Sequence, residues 1–126
     1  MKPDSPETCI QRFAACVSKG DLDGASGSFE EAATFVRDDK TLVNGRAAIR
    51  EALAGFVDAR PNLEIQVQRV VGAGEDLAIV YNEWSFDARE QDGSLVPNAG
   101  GTVQVLRRAQ DGTWRIVFDD PGRWLR

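Results

Sequence analysis

Histidine is absent from the sequence, cysteine occurs only twice, and no long apolar run is present. Without histidine the chain lacks the most common general base and a frequent metal ligand, and two cysteines alone do not make a zinc site. We therefore expect no metal and no cofactor. A helix that crosses a bilayer needs about 20 mostly apolar residues. No stretch of that kind occurs, so we expect no membrane partner.

The two cysteines, Cys9 and Cys16, lie in one predicted helix. Seven helical residues separate them by about 10 Å along the axis. A disulfide needs Cα atoms within about 7 Å of each other. Both are therefore predicted to be free thiols, which favours the cytoplasm. The opening residues also show no apolar segment of a secretory signal.

Positive charge is scarce: 15 Lys and Arg stand against 20 Asp and Glu, for a net charge of -5. This balance argues against nucleic acid or an anionic membrane as the main partner. The chain has 126 residues, of which 42% are apolar. That size and composition predict one globular domain over residues 1–126.

Helical spacing dominates the first half of the chain. Residues 5–19 place apolar side chains on one helix face, and Gly20 is suited to end that helix. A second, weaker helix is predicted over 21–29. Gly24 and Gly27 lower its helical propensity, so we interpret them as contact points where two backbones pack closely at a corner.

Strands dominate the second half. Residues 32–37 and 41–43 are predicted as short strands, and Asn44-Gly45 opens a third helix that runs to about residue 59. Residues 89–101 are predicted as a loop. Longer strands are then predicted over 63–71, 77–87, 101–109 and 113–120. Helices and an antiparallel meander kept apart in this way indicate the α+β class, with a curved sheet that leaves a cavity under the helices.

Three stretches carry a family resemblance: "FAACVSKGDLDGASGSFEEAATFV", "VNGRAAIREAL" and "VLRRAQDGTWRIVFDDP". They resemble the nuclear transport factor 2-like superfamily, in its SnoaL-like and ketosteroid-isomerase-like branch, over a core of about 7–122. The resemblance implies a cone-shaped, curved mixed sheet roofed by three helices, a cystatin-like α+β barrel. It implies no single activity, because this fold hosts isomerases, cyclases, hydrolases and binding modules.

The catalytic positions of ketosteroid isomerase can be carried over one at a time. Its first-helix tyrosine falls on Phe13, its general-base aspartate on Arg37, and its late-strand aspartate on Gln104. Phenylalanine has no donor and arginine cannot accept a proton at neutral pH, so the isomerase residues are not carried. A slip of one or two residues would instead bring Asp38 or Asp39 to the position of the base.

The same resemblance suggests which side chains line the cone. Asp119 is the single candidate for catalysis, as a base with a pKa raised by burial. It fits equally a structural anion paired to Arg37 or Arg115, or a cap for the turn at Pro121. The aromatic candidates fit packing as well as ligand contact, and the amide candidates fit a strand network as well as substrate orientation. The expected ligand-binding residues are Phe13, Phe35, Arg37, Phe56, Asn82, Trp84, Gln104, Arg115 and Val117.

The opposite face of the sheet is predicted to be apolar and to have no helix left to cover it. Such a face usually marks an association surface, so we expect a homodimer with sheet face against sheet face. The C-terminal residues 122–126 would lie across the partner or close the pocket mouth. The residues expected in this interface are Ile79, Tyr81, Val103, Val105, Trp114, Ile116 and Phe118.

Two hypotheses of function remain open. In the first, the cone binds a small, mostly apolar molecule with a carbonyl or anionic group oriented by Arg37 and Gln104, and any reaction is proton transfer, isomerisation or cyclisation. In the second, the chain is a non-catalytic ligand-binding or dimerisation module. Ligand sites begin at roughly 300 Å³, so a cavity under about 100 Å³ would favour the second hypothesis.

Overall fold

A computed structural model describes residues 4–121. No helix among these residues is long and apolar enough to cross a membrane. The helices are α1 (Pro6–Lys19), α2 (Leu22–Ser26) and α3 (Arg46–Asp58). The strands are β1 (Phe29–Val36), β2 (Leu42–Asn44), β3 (Glu64–Gly72), β4 (Leu77–Arg89), β5 (Leu95–Arg108) and β6 (Trp114–Pro121).

Helix α1 begins and ends as its sequence predicts. The Ser5 side chain accepts a hydrogen bond from the Thr8 amide across 3.1 Å, which caps the first turn. Gly20 ends the helix with a φ of 78°, a left-handed conformation that favours glycine. Both cysteines are free and buried on this helix, as expected. A Cβ at Gly24 would lie 2.6 Å from Cys16 Sγ, so α2 packs directly on α1.

The strands form one mixed sheet in the order β2-β1-β6-β5-β4-β3. Neighbours are antiparallel except for β1 and β6, which are parallel. Helices α1 and α3 pack on the sheet, and the main core lies between them and its inner face. This arrangement confirms the α+β class and the curved sheet with its helical roof. The largest fully buried apolar side chains are Phe29, Ile10, Ile49, Leu106 and Ile116.

The loop predicted over 89–101 is wrong, because most of it is strand. Strand β4 continues to Arg89, and β5 begins at Leu95. The turn between them carries Gly93 at a φ of 86°, and Asp92 Oδ1 accepts hydrogen bonds from the amide and hydroxyl of Ser94. Pro97 and two glycines have low strand propensity, so the sequence of this segment does not indicate a strand. Pairing with the long β4 supplies the order that their local propensity lacks.

A β-bulge changes which residues of β6 face inward. Val105 lies opposite Phe118, whereas the next residue of β5, Leu106, lies opposite Ile116. Val117 is therefore an extra residue with no partner position on β5. A bulge of this kind reverses the inward and outward alternation of the strand that carries it.

Because of the bulge, the positions expected for four residues of β6 are wrong. Trp114 and Ile116 were expected on the outer face, but both are buried in the core. Arg115 and Val117 were expected in the cavity, but neither lines it and both are half-buried: Arg115 lies opposite the exposed Arg107, and Val117 is the extra residue of the bulge. Asp119, beyond the bulge, keeps its expected inward position and is buried. Uniform alternation along β6 gave the wrong phase for every residue before the bulge.

Candidate functional site

A cavity of 290 Å³ lies between the helices and the inner face of the sheet. Its volume is far above the 100 Å³ limit set for a filled cone and close to the lower end of ligand sites. Helices α1 and α3 line one side, and strands β1, β3, β4, β5 and β6 line the other. The lining residues are Phe13, Phe35, Asp38, Ala52, Leu53, Phe56, Leu63, Ile65, Asn82, Trp84, Phe86, Asn98, Thr102, Gln104, Asp119 and Pro121.

Three aromatic rings form a connected wall of the cavity. The ring of Phe86 stacks on Trp84 with centroids 5.6 Å apart and meets the edge of Phe56 at 4.8 Å. Gly100, opposite Trp84 on β5, makes room for the indole ring, since a Cβ there would clash with Trp84 Cζ2. Trp84 and Phe86 face the cavity because they alternate with outward residues along β4.

A chain of three polar side chains crosses the inner face of the sheet. Asn82 Nδ2 donates to Gln104 Oε1 across 2.7 Å, and Gln104 Nε2 donates to Asp119 Oδ2 across 2.9 Å. All three side chains are buried and line the cavity. The strand network considered for these two amides is therefore present, and it ends on the carboxyl group.

The carboxyl group of Asp119 is the buried acid of this site. Burial raises its pKa from 3.8 to about 7, the hydrogen bond from Gln104 opposes that rise, and the neighbouring Asp120 adds to it. No lysine or arginine among the described residues lines the cavity. The expected pairing of Asp119 with Arg37 or Arg115 is therefore wrong, and its partner is a neutral amide.

Arg37 was expected inside the cavity, and that position is wrong. Strand β1 ends at Val36, so Arg37 lies in the following turn, where it is exposed and its amide donates to Thr41 O. The next residue, Asp38, borders the cavity from its exposed side. The conformation of this turn therefore brings Asp38, and not Arg37, to the cavity.

Two buried polar atoms of the cavity wall have no hydrogen-bond partner among the described residues. They are Asn82 Oδ1 and Trp84 Nε1, one acceptor and one donor. Both residues lie on the same face of β4, two positions apart. A buried polar atom without a partner costs about 1–3 kcal/mol. The cavity therefore offers a hydrogen-bonding opportunity of each kind to a bound molecule.

Most of the expected lining residues do meet at this cavity. Those brought together are Phe13, Phe35, Phe56, Asn82, Trp84, Gln104 and Asp119. Arg37 lines a neighbouring open pocket that shares Phe35, Asp38 and Ala52 with the cavity, and Arg115 and Val117 line neither. The expected ligand-binding set did not include Asn98 or Pro121, and it reached Asp38 only through the alternative alignment. An acid directly after a strand was a usable signal for Asp38. Asn98 lies in the strand region that was interpreted as a loop.

Residues 4–121 bring no three metal-binding side chains together in a cluster. The residues expected at the C-terminal end, 122–126, lie outside the described part of the chain.

Comparison with known proteins agrees with this geometry. A family model for the SnoaL-like domain matches residues 10–126. No curated protein matches the sequence. A curved mixed sheet roofed by helices over an apolar cavity defines a nuclear transport factor 2-like fold. Within it, the chain belongs to the SnoaL-like domain family.

Solved structures with the same fold are distant in sequence. A ketosteroid isomerase-like protein from Erwinia carotovora atroseptica is 13% identical with a TM-score of 0.79, covering 95% of this chain and 94% of that one. A nuclear transport factor 2-like protein of unknown function from Shewanella oneidensis is 15% identical with a TM-score of 0.78, covering 93% and 95%. At these identities the likeness shows the fold alone.

A third solved structure with this fold is named an association domain. The putative calcium/calmodulin-dependent protein kinase type II association domain from Thiobacillus denitrificans is 19% identical with a TM-score of 0.78. It covers 99% of this chain and 98% of that one.

Proposed function

We propose that the chain binds a small, mostly apolar, uncharged molecule that carries a carbonyl or hydroxyl group. The observation that carries this proposal is the buried Asp119 carboxyl in the wall of a mostly apolar cavity of 290 Å³. Ligand sites typically combine an apolar lining with a few convergent polar groups. The aromatic wall supplies apolar contact, and the chain from Asn82 to Asp119 supplies the polar end.

The charge of the cavity favours a neutral ligand over an anionic one. An anionic group was a reasonable expectation only while Arg37 was placed inside, and Arg37 is exposed. An anion in the cavity would face Asp119 with no lining cation among residues 4–121. Two like charges at close range in a poorly hydrated site repel strongly. The carbonyl or hydroxyl alternative therefore has the better support.

Any reaction at this site would be proton transfer next to a ligand carbonyl, with Asp119 as the group that gives or takes the proton. Its pKa of about 7 leaves both forms accessible near neutral pH, which suits general acid–base work. The chain lacks the tyrosine of the isomerase at Phe13 and its late-strand aspartate at Gln104. Binding is therefore the primary proposal, and catalysis is secondary to it.

The test compares two ligands of similar shape, acetophenone and benzoate, by quenching of tryptophan fluorescence. We expect acetophenone to bind at least about tenfold more tightly than benzoate, since one unfavourable charge contact is worth about 1.4 kcal/mol or more. Ala52→Phe, which fills the cavity, should abolish binding, whereas the exposed Ala47→Phe on the same helix should leave it intact. Equal binding of benzoate, or binding that survives Ala52→Phe, would overturn the proposal.

The second candidate function is assembly through the outer face of the sheet, and a specific row of residues favours it. Val71, Ile79, Val105 and Phe118 lie opposite one another on four adjacent strands. Helices α1 and α3 both pack over the inner face. The similarity to a domain named an association domain adds support to this proposal. We propose a homodimer in which this outer row packs against its copy.

A further inference from the structure

The amide chain in the cavity wall has a direction. An ionised carboxyl can only accept hydrogen bonds, so Gln104 must turn its amino group towards Asp119. Its carbonyl oxygen then faces Asn82, which must supply its own amino group. What remains is Asn82 Oδ1, a buried acceptor without a hydrogen-bond partner within residues 4–121. The charge on Asp119 thus fixes which atom of Asn82 is left over.

Protonation of Asp119 would reverse the same chain. A protonated carboxyl donates through its O–H, and the group that best accepts is Gln104 Oε1. Gln104 Nε2 would then donate to Asn82 Oδ1, and Asn82 Nδ2 would become the atom without a partner. Each amide needs only a half-turn that exchanges its oxygen and nitrogen. The shape of the cavity stays the same while the polarity at Asn82 changes from acceptor to donor.

We propose that Asn82 is the specificity-determining contact of the cavity and that Gln104 couples its polarity to the charge of Asp119. With Asp119 ionised, the cavity prefers a ligand that donates a hydrogen bond, such as an alcohol. With Asp119 protonated, it prefers the matched ketone, which only accepts. This inference rests on the proposed binding of a neutral molecule and names the ligand chemistry.

Among the residues that surround Asp119, the amide chain is the group that responds to its charge. Strand β5 presents Gln104, and β1 presents the apolar Phe35, which lies opposite Asp119. On β6 itself Asp120 is the neighbouring charge, and it raises the pKa of Asp119. From the turn after β1, Asp38 borders the cavity, while the helices contribute Phe13, Ala52, Leu53 and Phe56. No described cation lines the cavity to hold the carboxyl ionised.

The experiment measures the dissociation constants of 1-phenylethanol and acetophenone by tryptophan fluorescence, at about pH 9 and about pH 5, on either side of the transition. A net hydrogen bond is worth about 1 kcal/mol, and an unpaired buried group costs more. We therefore expect the alcohol to bind about tenfold more tightly than the ketone at high pH, and the ketone to bind more tightly than the alcohol at low pH. Gln104→Met keeps the volume but breaks the coupling, so the preference should no longer change with pH.

Controls separate this inference from the proposal beneath it. Gln66→Met on the exposed side of β3 should keep the wild-type pattern. Asn82→Leu should remove both the alcohol preference at high pH and the ketone preference at low pH, which gives a second reading if Gln104→Met fails to fold. If both ligands bind and the ratio of their dissociation constants is the same at each pH, the switch is overturned and the binding proposal stands. Failure of both ligands to bind at either pH would overturn the two together.

Discussion

Gln104 Nε2 donates a hydrogen bond to Asp119 Oδ2 across 2.9 Å, and both side chains are buried. The partner of the buried carboxyl is therefore a neutral amide instead of a guanidinium. A neutral donor stabilises the ionised form less than a cation would, and burial prevails, so the pKa of Asp119 rises to about 7. The acid–base behaviour of the site follows from this pairing.

The stability of the protein should fall as pH rises through the titration of Asp119. Between its ordinary pKa of 3.8 and its folded pKa of about 7, the folded chain keeps a proton that the unfolded chain releases. The free energy of unfolding then decreases by roughly 1.4 kcal/mol per pH unit, up to a few kcal/mol in total. The stabilising contribution is complete below the unfolded pKa and is lost as pH rises through the folded one. Urea unfolding at several pH values checks this.

Asp119→Asn should remove that contribution, because asparagine keeps the hydrogen bond to Gln104 and carries no proton to release. The difference in unfolding free energy between wild type and variant should therefore shrink or change sign with increasing pH. Asp87→Asn, an exposed aspartate on β4, is the matched control and should leave the wild-type slope in place. A slope that persists in Asp119→Asn would show that another group causes it.

The bulge in β6 implies that truncating two neighbouring residues, Ile116 and Val117, has different effects on stability. Ile116→Ala should destabilise the fold by about 2–5 kcal/mol, because it removes a fully buried side chain from the core. Val117→Ala, at the bulge and half-buried, should cost clearly less. Thermal or urea denaturation of both variants measures the difference. The reverse ranking would mean that β6 alternates regularly and that Val117 faces the core.

This bulge also shows why part of the site escaped prediction. Sequence alternation placed the inward residues of β4 and β5 correctly, since both strands run without interruption through Asn82 and Gln104. An inserted residue on β6 leaves no mark in the local pattern, because apolar side chains stand at 116, 117 and 118 alike. The register between two strands decides the phase, and that is a tertiary property.

Helix boundaries were easier to predict than the polar end of the cavity. Gly20 follows a clear apolar stripe and has a local reason to end the helix, so sequence alone identified it. Arg37 depended on where β1 ends, and strand ends are set by pairing with β2 and β6. The structure places neither Arg37 nor Arg115, the two cations of the expected site, at the cavity. Of the two expected ligand groups, carbonyl or anionic, these errors therefore remove the support for the anionic one.

Trp84 should lose its place in the cavity wall if a side chain is added at Gly100. A Cβ there would clash with Cζ2 and Cε2 of the indole, so the ring would have to shift. Gly100→Ala should therefore destabilise the fold and weaken acetophenone binding. Gly55→Ala on α3, where a Cβ meets nothing within 4 Å, should instead stabilise the fold by about 0.5–1 kcal/mol. Chemical denaturation and tryptophan emission report both changes, and unaltered binding in Gly100→Ala would contradict this account of the wall.

The proposed dimer can be tested by adding charge to the outer row. Phe118 lies opposite Val105 on the outer face and is half-buried in the protomer. In a dimer packed through this row, Phe118→Glu would bury a carboxylate without a partner, which costs several kcal/mol. We expect the wild type to elute as a dimer in size-exclusion chromatography with light scattering and Phe118→Glu to elute as a monomer.

Leu42→Glu on β2 is the matched control, since Leu42 is also a large apolar residue but is 59% exposed and lies outside the row. It adds the same charge and should leave the dimer intact. Circular dichroism should show the same helix and strand content in both variants, so that loss of the dimer is not loss of the fold. If the wild type is monomeric at high concentration, or if Leu42→Glu dissociates it as completely as Phe118→Glu, the outer row is not the interface.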